Sequence, residues 1–224
     1  MVTVGLEMGG AEVVRPYIEA AHAEHPSLVD ETHRMDALCG VTNIPQVTWI
    51  DETGTIVRPP GPGSPAPQPT DDPGARQAFE FMSRGRPSPE WYADRIRDWV
   101  AKGPDSEHAL RPVEVSAPSH PRSPDVSRAA AQFELAQHLW RIEGFSERTH
   151  DHFAQAHTLQ PDNITYKRQA YSAYRVASAD HVDDRTRFQQ SPAEGEDWPF
   201  VSDFTADMAA LQAQRQRERE ARGQ

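Results

Sequence analysis

Alternating apolar and polar positions in the first quarter of the chain predict a β-hairpin. In residues 43–57, NIPQVTWIDETGTIV, β-branched and aromatic residues favour a pleated strand that begins at 46. Gly54 can take a positive φ in the turn, and the run that ends at Val57 returns as the partner strand. Proline lacks an N–H and is tolerated at the start of a strand, so Pro45 fits the beginning of this hairpin.

The residues on either side of the hairpin predict further strands and helices. Residues 2–31, VTVGLEMGGAEVVRPYIEAAHAEHPSLVDE, supply a strand, a helix and a short apolar run, and a short helical segment then ends at Gly40. Later in the chain, SPEWYADRIRDWVAKG predicts a helix over 88–102, with Ser88 as its cap. The apolar stripe of that helix is Trp91 or Tyr92, Ile96, and Trp99 or Val100.

The ordered set of elements over 2–57 resembles the C-terminal half of a thioredoxin fold, in its TlpA-like or peroxiredoxin-like variant. The residues that match are Asp30, Gly40-Val41, Ile44-Pro45, Ile50-Asp51, Gly54 and Ile56. The resemblance implies an α/β fold class with a mixed sheet, which the helix at 88–102 closes. It also implies a cis Ile44–Pro45 bond, although only about 5% of X-Pro bonds in folded proteins are cis. Ile44 and Pro45 are then the residues expected to contact a substrate peptide.

The cysteines of that family are not in this pattern. The chain has one cysteine, Cys39, and no C-x-x-C motif, so the strand and helix that carry the motif are also unaccounted for. We expect a thiol–disulfide redox protein whose motif, with two cysteines or a selenocysteine and a cysteine, lies upstream of Met1, and which is inactive as given. The alternatives are a degenerate half-domain used for binding and an accidental resemblance in another small α/β unit. Catalytic residues stay unknown, because Cys39 has only His33 and Arg34 nearby in sequence to activate it.

Apolar residues at helical spacing predict paired helices over 128–163, which resemble one tetratricopeptide repeat of about 34 residues. The positions that match are Phe133, Trp140, Gly144, Phe153, Ala156 and Pro161. Thr149 departs from the small residue usual at its position, and Asn163 is a candidate cap for a third helix. Stable arrays need three or more repeats, so these helices are expected to dock either on the thioredoxin-like part or on a protein partner.

Proline-rich stretches divide the chain into predicted domains. These are a thioredoxin-like domain at 1–103 with a Pro-rich insertion at 58–87, a linker at 104–127, repeat-like helices at 128–177, and a helical or disordered tail at 178–224. The overall fold class is therefore a partial thioredoxin-like α/β fold followed by an all-α repeat-like region. The competing function is a non-catalytic interaction module, in which the repeat-like helices bind a partner and the thioredoxin-like part is a scaffold.

Charge and composition exclude several function classes. The net charge of −11 disfavours nucleic acid, which needs a basic surface, and no apolar run approaches the length of a membrane span. No secretory signal follows Met1, so a cytoplasmic location is expected for the chain as given. We expect no cofactor, and the expected partner of the redox protein is a thiol or disulfide protein substrate.

Two groups of histidines are the candidate metal ligands. His150, His152 and His157 lie in one helix, but two turns separate the outer pair, so a solvated face is the stronger interpretation. His22 and His25 share a helix face without a cysteine or carboxylate set that would complete a site. No metal site is predicted.

Overall fold

Short strands and helices alternate before the long helices that follow residue 121. The structure is a computed structural model of the 224-residue chain, and it describes residues 1–63, 89–117 and 121–177, with single helical positions at 209, 213, 216 and 217. The strands are β1 (Thr3–Leu6), β2 (Ser27–Asp30), β3 (Gln46–Ile50) and β4 (Ile56–Pro62). The helices are α1 (Ala11–Ala20), α2 (Arg34–Cys39), α3 (Pro89–Lys102), α4 (Pro112–Ser116), α5 (Pro124–Glu143), α6 (Glu147–Leu159) and α7 (Ile164–Ala177), with a 3-10 turn at Gly103–Asp105. The cap at Ser88, the predictions for 64–87 and, apart from those four positions, the predictions for the tail beyond 177 lie outside the described residues.

Two compact units divide the chain. Unit 1 contains Met1–Leu38 and Arg122–Gln224, and unit 2 contains Cys39–Pro121. Unit 1 thus contains both the first strands and the helices after Arg122, whereas the sequence predicts that these two parts lie in separate domains. The strands form two two-stranded sheets, β1–β2 and β3–β4, and the described part of the chain contains no larger mixed sheet. The fold is a mixture of helices and small sheets.

The β1–β2 sheet of unit 1 is parallel, and α1 connects its two strands. Val4 lies directly opposite Leu28 in the register. A Cβ atom at Gly5 would stand 3.2 Å from a methyl group of Val14, so the missing side chain lets α1 lie close to β1. Because side chains alternate along a strand, Val4 and Leu28 belong to the face opposite α1.

Helices α5, α6 and α7 supply most of the core of unit 1. The side chains of Ser123 and Ser146 cap α5 and α6 by accepting hydrogen bonds from Val126 and Thr149, at 3.2 Å in both cases. Asn163 caps α7, as predicted, by accepting the backbone N–H of Thr165 at 3.1 Å. The matched repeat positions Phe133, Phe153 and Ala156 are buried, and Phe133 stacks on Tyr166 with ring centroids 4.3 Å apart.

These helices dock on the loops that follow β1 and β2. Met8, after β1, is part of the helical core, and its backbone N–H donates to the side-chain carbonyl of Gln169 at 2.8 Å. Arg141 on α5 donates to the backbone carbonyl of Glu31, after β2, at 2.9 Å. The sequence leaves two possibilities, that these helices pack on the N-terminal part of the chain or on a partner protein. In the structure they pack on the N-terminal segment.

Unit 2 contains the predicted hairpin. Its strands β3 and β4 are antiparallel, Gly54 has a φ of 84° in the turn, and the Asp51 carboxylate accepts the backbone N–H groups of Thr53 and Thr55 at 2.9 Å. Strand β4 continues to Pro62, beyond the predicted end at Val57, because an edge strand tolerates prolines.

The helix predicted at 88–102 is present as α3, and Trp99 stacks on Trp49 of β3 with ring centroids 5.0 Å apart. Val100 is exposed and therefore does not belong to the buried stripe. The stretch predicted as a linker at 104–127 contains α4 and the first residues of α5.

Candidate functional site

Cys39 is the last residue of α2, and its thiol is free and only partly exposed. It is the only cysteine in the chain, so no second thiol of this chain can resolve a mixed disulfide that Cys39 forms. The position therefore offers one sulfur atom and no dithiol pair.

Ile44 and Pro45, the predicted substrate-binding residues, lie immediately before β3 in unit 2. The peptide bond between Ile44 and Pro45 is cis, which confirms the predicted bond geometry. The Ile44 N–H donates to the side-chain oxygen of Asn43 at 2.8 Å, and the Pro45 carbonyl accepts the N–H of Gly63 at 3.0 Å. A peptide that paired with the Ile44 N–H would have to displace the side chain of Asn43.

A shallow pocket on the hairpin was missed at the level of sequence. It has a volume of about 200 Å³, and its lining residues come from β3, β4 and α3 of unit 2. They include Val47, Trp49, Arg58, Pro59, Tyr92 and Arg95. The walls are mostly apolar, with two guanidinium groups and one phenol among them.

The strand register places Arg58 directly opposite Trp49. The guanidinium carbon of Arg58 lies 5.2 Å from the centre of the Trp49 ring, within the range of a cation–π contact. One N–H group of Arg58 also donates to the backbone carbonyl of His108 at 2.8 Å. Two contacts, one from β3 and one from the turn that contains His108, therefore hold this guanidinium in place.

Tyr92 adds a second donor to the pocket. Its hydroxyl oxygen accepts the indole N–H of Trp49 at 3.4 Å, which leaves the phenolic proton available to a ligand. None of the described lining residues is an aspartate or glutamate, although the chain as a whole carries a net charge of −11. The pocket is thus a local positive site on an acidic protein. The feature that could have indicated the pocket is the pairing of Arg58 with Trp49 across the hairpin. This pairing can be recognised only when the strand register is known.

A buried histidine in unit 1 is the other candidate for chemistry. His33 has a φ of 56°, and its ring Nδ1 accepts a hydrogen bond from the side-chain amide of Gln137 at 3.1 Å. Burial lowers the pKa of His33 from 6.5 to about 4; the Asp30 carboxylate opposes this effect and the Arg141 guanidinium adds to it. Because the imidazole is buried and paired, it fits a structural role better than that of a general base.

The predicted histidine groups do not form metal sites. Within 1–63, 89–117 and 121–177, no three histidine, cysteine, aspartate or glutamate side chains converge in a way that could hold an ion. His152 instead pairs with Gln132, their side chains 2.5 Å apart. Helices in the same described segments are also too short or too polar to cross a membrane.

Comparison of the chain with protein-family models, with curated proteins and with solved structures finds no match.

Proposed function

We propose that this chain is the substrate-contacting part of a thioredoxin-like thiol–disulfide redox protein, in which Ile44 and Pro45 contact the substrate and the redox pair lies outside this chain. The proposal rests on the uncovered face of the β1–β2 sheet. Parallel sheets in proteins of this class are covered on both faces, whereas Val4 and Leu28, directly opposite each other, are 36% and 54% exposed. An exposed apolar pair on a parallel sheet is a surface that another element would cover.

The order of the remaining elements supports the same proposal. A β-α-β unit with parallel strands is followed by a short helix, a proline, an antiparallel hairpin and a helix whose Trp99 packs on that hairpin. This is the order that the resemblance implies for the second half of the fold.

The chemistry requires two sulfur atoms, or a selenium and a sulfur. A thiolate attacks one sulfur of the substrate disulfide and forms a mixed disulfide, and the other substrate sulfur leaves as a thiolate. A second thiolate then attacks the mixed disulfide, releases the reduced substrate and leaves the enzyme oxidised, until an external dithiol reduces it. This chain supplies one thiol at most, at Cys39, so the proposal assigns the pair to another segment.

The transcript that encodes Met1 provides the first test. An open frame upstream with W-x-x-x-C-x-x-C, or with a selenocysteine codon followed by a cysteine, supports the redox proposal. A frame without either refutes it and leaves the interaction module.

A double substitution on the sheet provides the second test. In the protein that starts at Met1, Val4→Thr with Leu28→Thr should change the free energy of unfolding by less than about 0.5 kcal/mol, because both positions are exposed. In a longer protein in which another element covers this face, the same two substitutions should lower the free energy of unfolding by about 1–3 kcal/mol, because the threonine hydroxyl groups would be buried. Exposed Thr3 and Thr55, each changed to Ser, provide the matched control.

A second candidate function is the non-catalytic interaction module. The observation that favours it is the exposure of Leu135 and Ile142, which lie seven residues apart on α5 and therefore on one helix face. A partner helix would pack on this face, and Leu135→Ser with Ile142→Ser should weaken its binding far more than it lowers the stability of the protein.

A further inference from the structure

We propose that the pocket on the hairpin binds a small organic carboxylate with an apolar body, and that Arg58 holds its carboxylate group. This inference is independent of the redox proposal, since it concerns a different group of residues and no sulfur chemistry.

The ligand charge follows from the donors in the pocket. Arg58 presents a planar guanidinium that the Trp49 ring and the His108 carbonyl already hold, so little side-chain freedom is lost when an anion binds. The Tyr92 hydroxyl can donate to the same anion. A carboxylate matches a guanidinium through two parallel hydrogen bonds, and no acidic residue in the described part of the lining competes for it.

The size and shape of the ligand follow from the walls. Val47, Pro59 and Pro62 present apolar surface beside the donors. The volume of about 200 Å³ is below the range of roughly 300–1,000 Å³ that is typical of sites for drug-sized ligands. A body about as large as one amino-acid side chain fits, whereas a phosphate would leave the apolar wall without a partner.

Phenylacetate and phenylacetamide form the matched pair of probes, because they have the same size and shape and differ in charge. With about ten non-hydrogen atoms, phenylacetate should bind with a dissociation constant on the order of 1 mM. Phenylacetamide should bind at least about tenfold more weakly, because it lacks the charge-assisted hydrogen bonds. Titration of the full chain, followed through the indole N–H signal of Trp49 in nitrogen-15 NMR spectra, measures both constants.

Variants of the two donors identify the site. Arg58→Gln should weaken phenylacetate binding by about tenfold or more and leave phenylacetamide binding unchanged. Tyr92→Phe removes only the hydroxyl and should weaken phenylacetate binding by a smaller factor. Arg97→Gln is the matched control, because Arg97 is exposed on α3, pairs with Asp94 and does not line the pocket. Near-ultraviolet circular dichroism establishes that each variant is folded.

Three results would overturn the proposal. The first is equal affinity for the acid and the amide, and the second is tighter binding of inorganic phosphate than of phenylacetate at the same Trp49 signal. The third is unchanged phenylacetate binding in Tyr92→Phe. Because this variant does not depend on Arg58→Gln, it tests the proposal even if Arg58→Gln does not fold.

Discussion

The side-chain amide of Gln137 donates a hydrogen bond to Nδ1 of His33 over 3.1 Å, although 104 residues separate the two in the chain. His33 is 3% exposed and Gln137 is 1% exposed. Since the amide nitrogen can only donate, Nδ1 must be unprotonated, and the imidazole is neutral with its proton on Nε2. The pair joins the loop after β2 to helix α5, so the protonation of one ring bears on the docking of the whole helical part of unit 1.

Acidification should therefore destabilise unit 1 between pH 6.5 and about 4. The pKa of His33 is lowered to about 4 in the folded protein, so in this window the unfolded chain binds a proton that the folded protein does not. Stability is fully present above pH 6.5 and falls with pH, and the difference between 6.5 and about 4 corresponds to a loss of about 3 kcal/mol. Urea unfolding, followed by circular dichroism across this range, measures the loss.

His33→Asn should flatten this pH dependence, because asparagine tolerates the positive φ and does not titrate. His138→Gln, at an exposed position of α5, is the matched control and should keep the slope. A slope that persists in His33→Asn would contradict the assignment. Asp30 also destabilises the protein at low pH. Burial raises the pKa of its carboxyl group, but hydrogen bonds from the backbone N–H groups of residues 32, 34 and 35 outweigh burial and lower the pKa overall. The stability that the Asp30 carboxylate contributes is therefore lost as the pH falls through this lowered pKa.

Gln137→Leu should destabilise the protein by about 1–3 kcal/mol at pH 7, because it leaves the buried Nδ1 acceptor of His33 without a partner. A double-mutant cycle with His33→Leu measures the coupling in urea. The double variant should lose less stability than the two single losses together, since it removes both polar groups. Strict additivity would show that the two side chains do not interact.

The protein that starts at Met1 should show no disulfide reductase activity of its own. Turnover by the thioredoxin mechanism needs one thiolate to attack and a second to resolve, and the chain has only Cys39. Insulin reduction with dithiothreitol should match the blank. Activity that disappears in Cys39→Ser would contradict the prediction and make Cys39 a single-cysteine nucleophile.

Gly144→Ala should cost about 1–3 kcal/mol through backbone strain alone. Gly144 ends α5 with φ 76° and ψ −158°, a conformation that is essentially restricted to glycine, and no atom of the described residues lies within 4 Å of the position a Cβ would take. Thermal unfolding measures the loss. Gly61→Ala, where φ is not positive, is the comparison, and an equal loss there would argue against strain as the cause.

Local patterns predicted the elements of this fold more completely than their packing. The hairpin with Gly54 in its turn, the helix that ends at Lys102 and the Asn163 cap of α7 each follow from a few adjacent residues. Helix α4 was hidden because its five residues lie in a stretch rich in proline and serine. Its own cap is local, however: the Glu114 carboxylate accepts the backbone N–H of Arg111 at 2.9 Å.

Contacts between distant segments could not be predicted from these patterns. The bond between His33 and Gln137 depends on how two surfaces meet, and neither residue stands out in sequence. The pocket escaped for the same reason: Arg58 lies at the start of a Pro-rich run, and its position across from Trp49 requires the strand register with its irregularities on either side of Trp49. The cis bond before Pro45 could be predicted because the prediction came from the resemblance and not from the local residues.

Unit 1 is built from two segments of the chain, one before and one after unit 2, and this order matters during synthesis on the ribosome. Met8 emerges early, but Phe133 and Ala173, which belong to the same buried cluster, are translated more than a hundred residues later. At about 5–20 residues per second, the N-terminal segment waits on the order of 5–30 s for these partners. The contiguous unit 2 leaves the ribosome during that interval, so a nascent chain stalled after unit 2 has emerged would present a folded hairpin and an uncovered Met8 to chaperones.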